Sequence, residues 1–220
     1  MGNYIFSLLS ILIISVSACE TTPSVDLTDI RTDEGLITVQ NAPFDATLIN
    51  PDIDVRSYGK IVLGEVLMAY SPRENEFEVP RDAQIRIRQI FEESLIEEIS
   101  ETSGLLLVED RGPGALRLDV AITDIKINLP EDADRSVNRK TFASNSGTLM
   151  SAGILTDSSD GSIISRFYDS RYDTSSYLEE VTRSSISSDF RRIIRTWAST
   201  ISIGLKDLTT QDPLALHAAP

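Results

Sequence analysis

The chain opens on an apolar run, IFSLLSILIISVSA over residues 5–18, that holds no charged residue. It is shorter than the roughly 20 residues an untilted bilayer span needs, so it reads as the core of a signal peptide rather than a membrane helix. Residues 20–56 follow, rich in Thr, Pro, Asn and Asp and without a sustained period. That pattern predicts a tether with some irregular packing and a short strand at 35–40.

Regular patterning starts at Tyr58. The run YGKIVLGEVLMAY is rich in β-formers and apolar on both faces, as an interior strand is. Asp82 stands where it can cap a helix reaching about Thr102, whose Ile87, Ile90, Phe91, Leu95 and Ile99 form one stripe, with Gly104 as the stop. Residues 105–109 form a short apolar strand, and a helix between two neighbouring strands predicts a parallel β-α-β unit. Turn residues from Asp110 to Gly114 predict that the next strand, 115–129, folds back antiparallel to its predecessor. Within it Leu116, Leu118, Val120 and Ile122 alternate on even numbers, whereas Ile125, Ile127 and Leu129 alternate on odd ones. Side chains alternate with a period of two, so the slip calls for a β-bulge near Thr123-Asp124.

Residues 130–145 are polar and read as a loop. Residues 147–156 then pair with 162–172 as a hairpin through Asp157-Ser158-Ser159-Asp160-Gly161. A second helix, from about Ser185 to Leu208, carries Phe190, Ile193, Ile194, Trp197, Ile201 and Leu205 at helical spacing. Two amphipathic helices and about five strands specify an α+β fold, a two-layer sandwich with both helices on one face of a mostly antiparallel sheet.

Charge and composition narrow the chemistry. A net charge of −14 excludes a nucleic-acid surface, because phosphate binding needs clustered Lys and Arg. A single cysteine excludes an internal disulfide and a Cys-rich zinc site. The one histidine, His217, stands beside the C-terminus, which leaves none for a Ser-His-Asp triad. Neither a G-x-S-x-G nor a phosphate-binding glycine motif occurs. The expectation is a non-enzymatic chain with no metal and no cofactor.

The lone cysteine has a different setting. Val16-Ser17-Ala18-Cys19, which closes the apolar run, resembles a bacterial lipobox. Small residues let an extended segment enter a peptidase cleft, and the thiol of Cys19 accepts a diacylglyceryl group. The expected organisation is a lipoprotein signal peptide over 1–18, a lipidated N-terminus and tether over 19–56, one α+β domain over 57–210 and a flexible tail over 211–220. By resemblance to sorted lipoproteins, Glu20 in place of an Asp implies the outer membrane, with the body facing the periplasm. The implied partners are the lipid bilayer, through acylated Cys19, and an envelope protein or glycan.

The order of elements, with GPGALRLDVAITDI at 112–125, LTDSSDGSIISRFYDSR at 155–171 and FRRIIRTWASTISIGL at 190–205, resembles a family of proteobacterial lipoproteins, the domain of unknown function DUF3313. The resemblance covers most of residues 58–208 and implies a compact α+β domain of the cell envelope. It carries over no catalytic residue.

Three clusters remain. Asp157, Asp160 and Asp169 with Gly161 lack the ligand spacing of a calcium loop and read as hairpin chemistry. Asp119 and Asp124 offer two carboxylates, but Asp119 is out of phase with the apolar positions and belongs on a solvated face. Arg191, Arg192 and Arg195 lie off the apolar stripe of the last helix and form a candidate surface for an anionic partner. Two alternatives to an accessory factor stay open. A domain binding a small apolar ligand needs an enclosed pocket between helices and sheet, and a carboxylate-dependent hydrolase of envelope polymers needs acidic residues converging in a cleft.

Overall fold

The computed structural model describes residues 31–40, 42–69, 79–127, 142–143, 147–172, 179–180 and 183–210. Among them run β1 (Ile37–Thr38), β2 (Ala46–Ile49), β3 (Lys60–Met68), α1 (Arg81–Thr102), β4 (Leu106–Leu107), β5 (Ala115–Ile127), β6 (Phe142–Ala143), β7 (Gly147–Asp157), β8 (Ile163–Tyr172), β9 (Glu179–Glu180) and α2 (Arg183–Thr210). The main sheet has seven strands in the order β1-β2-β8-β7-β5-β3-β4, and β6 pairs with β9 apart from it. The fold is α+β, but the sheet is mixed and has seven strands rather than about five.

Two strands of the sheet come from the expected tether, β1 within the short strand expected at 35–40 and β2 beyond it. β2 pairs antiparallel with β8 from Ala46↔Tyr168 to Ile49↔Ser165, and β1 pairs with β2. Leu36, Ile37, Ile49 and Val55 are buried, so this segment is part of the packed body.

The mixed character comes from the β3 neighbourhood. β3 pairs parallel with β4 on one side and parallel with β5 on the other, so β5 does not fold back antiparallel to β4. β4 is only two residues long and meets β3 at Lys60 and Ile61, its first rung. The chain has therefore not travelled up the sheet when the 108–114 loop carries it past the start of β3, where Gly59 and Lys60 amides both donate to the Gly114 carbonyl. The β3-α1-β4 unit is parallel, as the sequence predicts.

β5 carries the expected bulge. Ile122 pairs with Ser151 and Asp124 with Met150, leaving Thr123 extra, so Ile125 returns to the face that holds Leu116, Leu118, Val120 and Ile122. β3 has a bulge of its own, with Gly64 and Glu65 opposite Asp119. The β7–β8 hairpin forms as expected, with Gly161 at φ 77° in its turn.

Helix α1 starts at Arg81 with Pro80 at its N-cap and no side-chain cap, so Asp82 lies in the first turn, where it pairs with Arg86. Phe91 meets Trp197 at a ring-centroid distance of 6.0 Å, and the Ser202 hydroxyl donates to the Glu98 carbonyl at 2.7 Å. Both contacts advance together along the two helices, so α1 and α2 run side by side in the same direction. Phe91, Leu95, Ile99, Trp197 and Ile194 are fully buried against the inner sheet residues. Each such side chain contributes about 2–3 kcal/mol by leaving water.

Candidate functional site

The side chains that carry charge into the body fall into three separate places. On the inner face, strand parity puts Asp169 of β8 opposite Ser151 and under α2. Its carboxylate is 4% exposed. It accepts from Trp197 Nε1 at 2.6 Å, from Arg171 Nε at 2.5 Å and from the Asp45 amide at 3.2 Å. One carboxylate thus ties the last helix, its own strand and the segment entering β2. Burying a charge is tolerated when its lone pairs are filled this way.

On the outer face, Arg117 donates to both oxygens of Asp119 at 2.6 Å, and the Glu65 amide donates to Asp119 Oδ1 at 2.8 Å. Burial works against the Asp119 charge, but the Arg117 guanidinium and the Glu65 amide outweigh it and hold the carboxyl below its ordinary range. Asp119 therefore fastens the β3 bulge and is only 23% exposed, rather than lying on a freely solvated face. A Cβ on Gly64 would stand 2.1 Å from Asp119 Oδ1, so the close approach needs a glycine. Asp124 is also on the outer side, where its Oδ1 accepts from the Ile125 amide at 2.9 Å.

At the hairpin end, Asp157 accepts from Tyr58 Oη at 2.6 Å and from the Ser159 and Asp160 amides. The Ser159 hydroxyl, then the Tyr58 hydroxyl, hold its carboxyl down to about 2. Burial, then the bond to Asp157, push Tyr58 up to about 12. Asp160 accepts from Ser162 within the same turn. Asp169 pairs with Ser151, six positions along β7 from Asp157, or about 20 Å away, so the three aspartates do not meet. Among the described residues no group of three or more His, Cys, Asp or Glu side chains could hold a metal ion.

Arg191, Arg192 and Arg195 are exposed on α2. Val16, Ser17, Ala18 and Cys19 lie outside the described residues. Sequence reasoning grouped Asp169 with the hairpin aspartates and missed its bond to Trp197. The signal was present: Ser165, Phe167, Asp169 and Arg171 share the inward phase of β8, where an aspartate needs a buried donor.

A seven-stranded mixed sheet with two helices on one side is an α+β architecture. The chain belongs to the family described as protein of unknown function (DUF3313), whose model matches residues 28–201. No curated protein matches it. A DUF330 protein from Xanthomonas campestris is similar at 13% identity and a TM-score of 0.46, covering 71% of this chain and 89% of that one. The PelC dodecamer from Paraburkholderia phytofirmans aligns at 19% identity and a TM-score of 0.35, over 66% of this chain and 89% of its own. Lipoprotein GNA1162 from Neisseria meningitidis aligns at 11% identity and a TM-score of 0.36, over 64% and 98%.

Proposed function

We propose that this protein is a bacterial envelope lipoprotein, anchored through acylated Cys19 in the outer membrane and facing the periplasm, whose α+β body acts as a binding or accessory factor rather than as an enzyme. The observation that carries the reading is Val16-Ser17-Ala18-Cys19 at the end of an uncharged apolar run. One acyl chain holds a protein marginally, whereas two or more, at about 0.8 kcal/mol per buried CH2, hold it durably.

The state of the carboxylates favours binding over hydrolysis. Asp169, Asp119 and Asp157 are each committed to donors that fasten the fold. Asp119 and Asp124 pair with Ile154 and Met150, four positions apart along β7 and therefore about 13 Å from each other. Paired carboxylates of glycoside hydrolases stand about 5 to 10 Å apart. Trp197, Phe91, Leu95 and Leu116 pack in one buried cluster between helices and sheet. The exposed Arg191, Arg192 and Arg195 offer positive charge to an anionic envelope component.

The anchor is tested by Cys19→Ala. The variant is expected to accumulate as an unprocessed precursor that takes up no radiolabelled palmitate, while the unaltered chain is labelled. Label on the variant would overturn the reading.

A further inference from the structure

Phe91 of α1 stands beside Trp197 of α2, and the Glu98 carbonyl beside the Ser202 hydroxyl, which sets the heights of the two parallel helices against each other. Arg86 and Arg88 lie five and three residues before Phe91, and Arg191, Arg192 and Arg195 lie six, five and two before Trp197. At about 1.5 Å per residue all five fall within about 6 Å along the axes, and Arg81 lies about 6 Å beyond them. Packed helix axes stand about 8–10 Å apart, so the six arginines form one band across the helical layer. All six are exposed. Residues 81–90 and 189–196 set these six cations against Asp82 and Asp189, and Asp82 is taken up by Arg86. Arg81, Arg88, Arg191 and Arg195 close no ion pair among the described residues. The second half of α1, residues 91–102, reverses the sign with five glutamates and no cation.

We propose that this band is the docking surface for an acidic glycan of the envelope, a polymer that repeats carboxylates along its length. The proposal rests on the envelope reading above and names the partner of its arginine surface. Three observations select that occupant. The first is charge. A surplus of cations within a chain of net charge −14 attracts an anion, and each guanidinium presents a planar fork that matches a carboxylate. The second is spread. The arginines are strung along and across two helices instead of converging on a cavity, so a small anion meets only one or two of them, whereas a polymer meets the row. Among the large apolar side chains described in this stretch only Ile85 is exposed, which leaves the band without the apolar centre of a protein interface. The third is position. Arg31 pairs with Asp52, and the nearby Asn50 amide donates to the Ile164 carbonyl at the start of β8, so the chain from Cys19 enters the body at its hairpin end. Helix α1 finishes at the same end, where the Leu106 amide donates to the Gly59 carbonyl ahead of β3. Arg88 and Arg81 lie 14 and 21 residues before Thr102, about 20 and 30 Å back from that end, with the glutamates in between. The band is thus set away from the end that the anchor holds, which favours a glycan over the headgroups of the anchoring bilayer.

The test pellets the full chain, held in nonionic detergent, with purified peptidoglycan sacculi, a glycan bearing repeated carboxylates, at about 0.05 M salt, where the screening length exceeds about 10 Å. The unaltered chain is expected to pellet with the sacculi. Arg88→Glu with Arg195→Glu, one from each helix, is expected to lower the retained fraction at least about tenfold. Arg111→Glu with Lys206→Glu makes the same change in net charge outside the band and is expected to leave retention unchanged. All four positions are exposed, so neither variant threatens the fold. Failure of the unaltered chain to pellet, equal losses in the two variants, or indifference to Arg88→Glu with Arg195→Glu would each overturn the proposal. Release of the chain from the sacculi by phosphatidylglycerol added to the micelles would assign the band to lipid headgroups and overturn it as well. Palmitate labelling reads the anchor separately, so a chain that takes the label and ignores the sacculi sinks this proposal alone.

Discussion

At the scale of single residues, the polar groups of this body act as fasteners, and their protonation states set when they hold. Tyr58 and Asp157 show the sign most clearly. Asp157 is held down to about 2, so its contribution is complete above the ordinary aspartate value near 4 and is lost as pH falls toward 2. Tyr58 is pushed up to about 12, so its contribution is complete below about 10 and is lost as pH rises through 12. Tyr58→Phe should therefore lower stability by about 1 kcal/mol between roughly pH 4 and pH 10. The difference from the unaltered chain should shrink outside that window. Urea unfolding at stepped pH measures it, and a difference that persists unchanged at pH 2.5, inside the interval where the carboxylate protonates, would refute the assignment. Asp169 shows why such partners are hard to read from sequence. Nothing local to SRFYDSR names Trp197, 28 residues on, as the donor. The hairpin role of Asp157 was legible because its donors in Ser159 and Asp160 lie within three residues, whereas Tyr58, 99 residues away, was not.

At the scale of elements, what was legible is what repeats. The α1 and α2 stripes, the β7–β8 hairpin and the β5 bulge each leave a periodic trace several residues long, and all of them form. β1, two residues long, falls inside the short strand expected at 35–40, but β2, four residues long, is too short for a period to emerge from a Thr- and Asp-rich background. The pairing of β2 is decided by β8, more than 110 residues later. The parallel placement of β5 was hidden for a related reason. Turn residues report that the chain reverses locally, but the length of β4 decides which strand it meets. The consequence of β2 is testable at Ile49, which is 2% exposed. Ile49→Ala should cost about 2–4 kcal/mol by emptying a buried site. In a loose tether the same change would cost under about 0.5 kcal/mol. A denaturation midpoint equal to that of the unaltered chain would show that β2 does not belong to the cooperative body.

At the scale of the whole molecule, a net charge of −14 works against the compact state, because folding brings like charges together. Ionic strength sets how far that repulsion reaches: at about 0.1 M salt the screening length is near 10 Å, and at about 1 M it is near 3 Å. The pairs that fasten the fold are less sensitive, since Arg117 and Asp119 are in direct contact and their side chains are only 20% and 23% exposed. Sodium chloride should therefore stabilise the unaltered chain across that range, read as a rising urea midpoint. A midpoint that falls with salt would show instead that ion pairs such as Arg117–Asp119 and Arg166–Glu34 outweigh the net repulsion.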